Sequence, residues 1–114
     1  MTLRNATFLV ALAFSASTLA APAGNVAAGK TKAGVCAACH GADGNKTLDN
    51  TYPRLAGQYP DYLSKALHEY KSGKRKNAIM GAQAQSLSDQ DIADLTAYFG
   101  SLQPQIHDLS GHQR

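Results

Sequence analysis

No stretch beyond the first twenty residues stays apolar long enough to cross a bilayer, which excludes a membrane-spanning helix from the rest of the chain. Convincing alternation of apolar and polar residues is missing too, so β-strands and the strand–helix–strand units of parallel sheets are not expected. The sequence has no internal repeat and no low-complexity segment. Eleven Lys and Arg stand against eight Asp and Glu, a net charge of +3 that is too modest for a nucleic-acid binder. Cysteine is scarce, with two in the chain. No second Cys/His pair follows them at ligand spacing, because His68, His107 and His112 are isolated, so a structural zinc site lacks half its ligands.

Both cysteines fall in one pentapeptide, Cys36-Ala37-Ala38-Cys39-His40. That spacing is the attachment signature of a c-type haem. Each thiol can add across one vinyl group as a thioether, and two intervening residues let the pair reach both vinyls from one turn of backbone. His40 then falls under the porphyrin, within reach of iron. A bare Cys-x-x-Cys also suits thiol–disulfide exchange, but the surrounding sequence lacks the strand–helix–strand pattern of such sites, and His40 would then be a coincidence.

The N-terminus reads as an export signal over residues 1–20. Arg4 supplies the positive start, Ala6 to Phe14 the apolar run, and small residues a cleavage site after Ala20 or after Ala23. This agrees with attachment of c-type haem outside the bacterial cytoplasm and places the protein in the periplasm. Residues 24–103 form one small domain, and 104–114 a polar tail that carries His107 and His112. So short a chain buries little surface of its own. A haem burying on the order of 500 Å² of apolar surface at ~25 cal/mol/Å² would add roughly 12 kcal/mol before entropy losses.

Periodicity places three main helices, an all-α arrangement with long loops. The first spans about Asn25 to Val35, with Asn25 as its N-cap and with Ala28 and Gly29 small enough to admit a crossing helix. The second carries Tyr59, Tyr62, Leu63, Ala66, Leu67 and Tyr70 as one apolar stripe, with Pro60 in its first turn and Gly73 at its end. The third starts at Ser88 with Asp91 in capping-box position, and buries Ile92, Leu95, Thr96, Phe99 and Leu102 with Tyr98 on the flank. The stretches 36–60 and 73–87 read as loops, long for so small a domain unless something packs inside them.

His40 is one axial ligand by position. Beyond Met1 the chain has a single methionine, Met80, in the second of those loops and off any helical stripe, and so suited to be the other ligand. A thioether favours ferrous iron and raises the potential. His68, on a helix and facing away, the tail histidines, or an empty position remain the alternatives; an empty position would imply peroxidase or gas-sensing chemistry.

The order helix, CxxCH, loop, helix, methionine loop, helix resembles class I c-type cytochromes, above all small bacterial monohaem ones and single halves of two-haem periplasmic ones. The segments that carry the resemblance are Ala28-Gly29-Lys30, Cys36 to Gly41, Pro53 to Gln58, Arg75 to Met80 and Leu87 to Phe99. The resemblance implies further roles. The Pro53 carbonyl would accept a hydrogen bond from the His40 imidazole. Leu55 would pack on the haem, Asn77 would lie near the methionine ligand or a propionate, and Tyr98 and Phe99 would help the last helix cross the first. Where many relatives have an aromatic four residues before the first cysteine, this chain has Lys32, which leaves the packing of those two helices open.

The implied function is one-electron shuttling in the periplasm by a covalent haem c whose iron is held by His40 and Met80, with no enzymatic step. A haem-bearing subunit of a dehydrogenase is the alternative. The partners would be redox proteins, docking at the basic run Lys71, Lys74, Arg75 and Lys76.

Overall fold

The computed structural model describes residues 20–105. Five helices follow one another: α1 (Val26–Lys32), α2 (Gly34–His40), α3 (Pro60–Ser72), α4 (Ala78–Gln85) and α5 (Asp89–Ser101). Among the described residues there is no strand. The export signal, apart from its last residue, and most of the polar tail lie outside the described residues.

The first expected helix is in fact two. Asn25 caps α1 as predicted, its Oδ1 accepting from the Ala28 backbone N–H at 2.9 Å. The chain then bends at Ala33 and continues as α2 through His40. The haem-attachment motif is therefore helical, and the loop expected from Cys36 starts at Gly41. The reason is local: nothing between Val35 and His40 breaks a helix, whereas Gly41 leaves it at φ 83°, a conformation that favours glycine.

α1 crosses α5 by direct backbone approach. A Cβ on Gly29 would lie 2.0 Å from the Asp94 carbonyl oxygen and 2.7 Å from the Tyr98 Cβ, so glycine is required at the crossing. The question left open by Lys32 is answered beside it. Lys32 Nζ reaches Asp91 Oδ1 and Asp94 Oδ2, each at 2.7 Å. Asp94 is buried, and its Oδ1 also accepts from the Asn25 backbone and from Gln90 Nε2, both at 2.8 Å. A charge pair thus fills this corner, and the buried carboxylate is fully hydrogen-bonded, as burial of charge demands. Lys32 holds the carboxyls of Asp91 and Asp94 below the usual carboxylate range, and they in turn raise the Lys32 ammonium.

α5 is the helix the sequence described. Ser88 Oγ accepts from Asp91 N at 3.1 Å and Asp91 Oδ2 from Ser88 N at 2.9 Å, a complete capping box. Ile92, Leu95, Thr96 and Phe99 are buried, and Tyr98 and Asp94 with them. The core joins Ala33, Leu63, Leu95, Tyr98 and Phe99, with Cys36, Leu55, Leu87 and Leu102 packed at its edge.

α3 starts at Pro60 and ends at Gly73, whose φ of 77° gives a left-handed cap. Its stripe is only partly buried. Leu63 is covered, but Tyr59 is 75% and Tyr62 46% exposed. The aromatic part of the stripe serves another end: the Tyr62 and Tyr70 rings flank the Arg75 guanidinium.

The expected loop 73–87 holds a fourth element. Asn77 caps α4 by accepting from Met80 N at 2.9 Å, so Met80 lies in the first turn of a helix, not in a loop. α4 has no apolar period, and a short helix of that kind is invisible to periodicity; the Asn77 cap before an Ala-rich run was the available sign. α4 packs on α3, where Gln85 Nε2 donates to the Lys71 carbonyl at 2.8 Å.

Candidate cofactor site

Cys36 and Cys39 occupy positions i and i+3 of α2 and so share one helix face. Both are free thiols and half-buried. Burial pushes the Cys36 thiol above its usual range. A lowered thiol pKa favours disulfide exchange, so the shift at Cys36 does not favour the redox-thiol alternative. Among the described residues, no three His, Cys, Asp or Glu side chains gather as a metal-binding group.

His40 ends α2 and is 5% exposed. Its Nδ1 lies 2.7 Å from the Pro53 carbonyl oxygen. A carbonyl only accepts, so Nδ1 carries the proton and donates, and the Nε2 lone pair is left available. Such a partner fixes both the tautomer and the ring orientation of a ligating imidazole. The loop that brings Pro53 here is itself tied down. Leu48 N donates to Cys39 O at 2.9 Å, Leu55 N and Ala56 N donate to Gly44 O at 2.9 and 3.1 Å, and Gly57 N donates to Phe99 O at 3.0 Å. Leu55 and Cys36 border the same core.

Tyr52 is a site residue that sequence reasoning passed over. Its ring meets the His40 imidazole edge-on, with centroids 6.2 Å apart and planes at 84°. Proximity to Cys39 raises its phenol above the ordinary range. The available signal was its position directly before Pro53, where the chain is held extended.

The structure therefore gathers Cys36, Cys39, His40, Pro53 and Leu55, with Tyr52, into one wall. Met80 and Asn77 lie on a separate helix, α4, which packs on α3 and would form the opposite wall of a haem site. Met80 is half-buried, and Asn77 acts on it through the helix cap. His68 is exposed on the far side of α3, its Nδ1 2.8 Å from Ser64 O and its Nε2 3.4 Å from Asp89 Oδ1.

These residues fit a haem. Two thiols share a helix face, a buried imidazole offers Nε2, and a thioether sits on the other wall. The apolar interior is small: Ile92 is the only large side chain fully buried among the described residues. Apolar surface remains uncovered beside both walls, at Val35 next to Cys36 (58% exposed) and Ile79 next to Met80 (53%).

The basic run divides into two pairs. Lys71 Nζ donates to the Leu87 carbonyl, and Arg75 is held by Glu69 and two tyrosines, so both are engaged within the fold. Lys74 and Lys76 are exposed.

Comparison with known proteins shows the family to which this fold belongs. The family model described as "Cytochrome c" matches residues 26–103. Cytochrome c4 of Pseudomonas aeruginosa is 54% identical over 83 residues, which cover 73% of this chain and 41% of that protein. Cytochrome c-554(548) of Halomonas halodenitrificans is 49% identical over 82 residues, 69% of this chain and 98% of that one. The crystal structure of reduced recombinant cytochrome c4 from Pseudomonas stutzeri superimposes with a TM-score of 0.69 at 41% identity, over 74% of this chain and 48% of that one. The chain thus spans less than half of the cytochrome c4 relatives and nearly all of the c-554(548) protein.

Proposed function

This chain belongs to the cytochrome c family, and on that premise we propose that it is a periplasmic electron carrier that moves one electron at a time between redox proteins. Family membership makes the cofactor a covalent haem c, which supplies a reversible ferric/ferrous couple when bound. The chain's own residues do the rest. Cys36 and Cys39 hold the group by thioether bonds, which keep it attached through cycles of reduction. His40 Nε2 and the Met80 sulfur would hold the iron. The Pro53 carbonyl keeps the imidazole from rotating and makes it a stronger donor. Leu55 and the apolar surface beside Val35 and Ile79 exclude water from the ring, and Lys74 and Lys76 attract an acidic partner to a small, short-lived interface. No substrate bond changes, so the protein is not an enzyme. Residues 1–20 direct export and are removed.

The observation that carries this reading is the buried His40 of a Cys-x-x-Cys-His helix, with Nδ1 fixed 2.7 Å from the Pro53 carbonyl. The test is intact and peptide mass spectrometry of the exported protein, joined to a redox titration. We expect one haem on the Cys36–Cys39 peptide, a start after residue 20 or 23, and a single one-electron wave. Two unmodified thiols, or a disulfide between them, would refute the carrier function.

A further inference from the structure

The segment that carries Met80 is held at its start by one side chain. Gly73 turns the chain back on α3, and Arg75 N donates to Glu69 O at 3.1 Å. The Arg75 side chain then lies along α3. Its Cζ is 5.5 Å from the Tyr70 ring centroid and 5.9 Å from that of Tyr62, and its Nε is 3.3 Å from Glu69 Oε2. Two residues later Asn77 receives the Met80 backbone N–H, and Gly81 N donates to Asn77 O at 2.8 Å. The far end of α4 is held separately, by Gln85 on the Lys71 carbonyl and Lys71 on the Leu87 carbonyl.

We propose that Arg75 is a positioning residue for Met80: its guanidinium, lodged between Tyr62 and Tyr70 and on Glu69, fixes the origin of α4 and so sets how firmly the Met80 sulfur is held on the iron. The proposal rests on Met80 being an iron ligand. It accounts for three features at once. Tyr62 stays at the surface although it lies on an apolar stripe, because both its ring and its hydroxyl hold the Arg75 guanidinium. Arginine, not lysine, stands at this place in a lysine-rich run, because only a planar guanidinium stacks on two rings while its Nε bonds a carboxylate. Glu69 is held ionised, first by Lys65 and then by Arg75, and so anchors the guanidinium.

The test is an imidazole titration of the ferric holoprotein, following loss of the near-infrared band that reports a thioether sulfur on ferric haem. Imidazole must displace Met80, so its apparent affinity measures the hold directly. We expect Arg75→Gln to bind imidazole about tenfold more tightly than wild type, the scale of one half-buried cation–π contact. Arg75→Lys should behave like Arg75→Gln, since it keeps the charge and loses the planar fork. Tyr62→Leu should move the same way, and Tyr62→Phe, which keeps the ring and loses the hydroxyl that also holds Arg75, should move it in the same direction by less; this pair decides the matter if the Arg75 variants fold poorly. An Arg75→Gln or Tyr62→Leu protein that binds imidazole as wild type does, while Met80→Ala does not, overturns the role of Arg75. A wild-type protein without the sulfur band, and equal to Met80→Ala, overturns instead the assignment of Met80 on which the proposal rests.

Discussion

The two walls of the cofactor site are built by different means. The His40 wall rests on the α1–α5 crossing, where backbone touches backbone at Gly29 and a buried carboxylate accepts three donors. The Met80 wall rests on half-exposed side chains: a guanidinium between two rings, a lysine on a carbonyl, a short helix over the end of α3. Close-packed backbone has little room to adjust, whereas side-chain contacts in water are individually weak. The imidazole side is therefore the fixed half of the site, and the sulfur side the adjustable half.

The largest effect abolishes the comparison. Changing Cys36 and Cys39 to serine prevents attachment and removes a contribution of roughly 12 kcal/mol, comparable to the whole net stability of a typical domain, about 5–15 kcal/mol. Both walls should be lost together, and circular dichroism of the haem-free chain should show no cooperative thermal transition of native size.

Next come paired glycine substitutions, one on each wall. Gly29→Ala drives a methyl into the Asp94 carbonyl and should cost about 3 kcal/mol or more, a large drop in melting temperature. Gly81→Ala, on α4, meets no protein atom nearer than the Tyr70 carbonyl at 3.9 Å and should lower the melting temperature far less than Gly29→Ala. Equal costs at the two positions would erase the distinction between the walls.

Smaller is the pH response of the α1–α5 clamp. Asp91 and Asp94 are depressed, so their contribution is present above the unfolded carboxylate value of about 3.9 and is lost as pH falls through their lower folded values. Lys32 is raised, so its contribution is present below about 10.4 and is lost as pH rises through its higher folded value. Denaturant melts of Lys32→Met against pH should lose the part of both edges that this clamp supplies, while a change at an exposed lysine outside the clamp, Lys74→Met, should keep them.

What was legible in the sequence was what is local. The Ser88–Asp91 capping box, the Asn25 cap and the Gly73 stop each lie within a few residues, and each stands where it was expected; the Cys36–His40 motif, equally local, was legible as chemistry but stands on a helix in place of the expected loop. What was not legible depends on partners far along the chain. Lys32 and Asp94 are 62 positions apart, and no local pattern says that a lysine should fill this corner of the helix crossing. Periodicity put Tyr62 and Tyr70 on one face of α3, but it could not say that a cation would lie there in place of the core. α4 escaped because eight residues without an apolar period give the eye nothing to follow. Tyr52 escaped because its neighbours His40 and Cys39 come to it through the folded loop.

The most direct test of a site closed on both sides is the absorption spectrum of the reduced holoprotein with and without carbon monoxide, in wild type and in Met80→Ala. With His40 and Met80 as the proposed ligands, wild type should ignore the gas, and Met80→Ala should bind it at once. A wild-type spectrum that shifts with carbon monoxide as readily as the variant's would contradict the account.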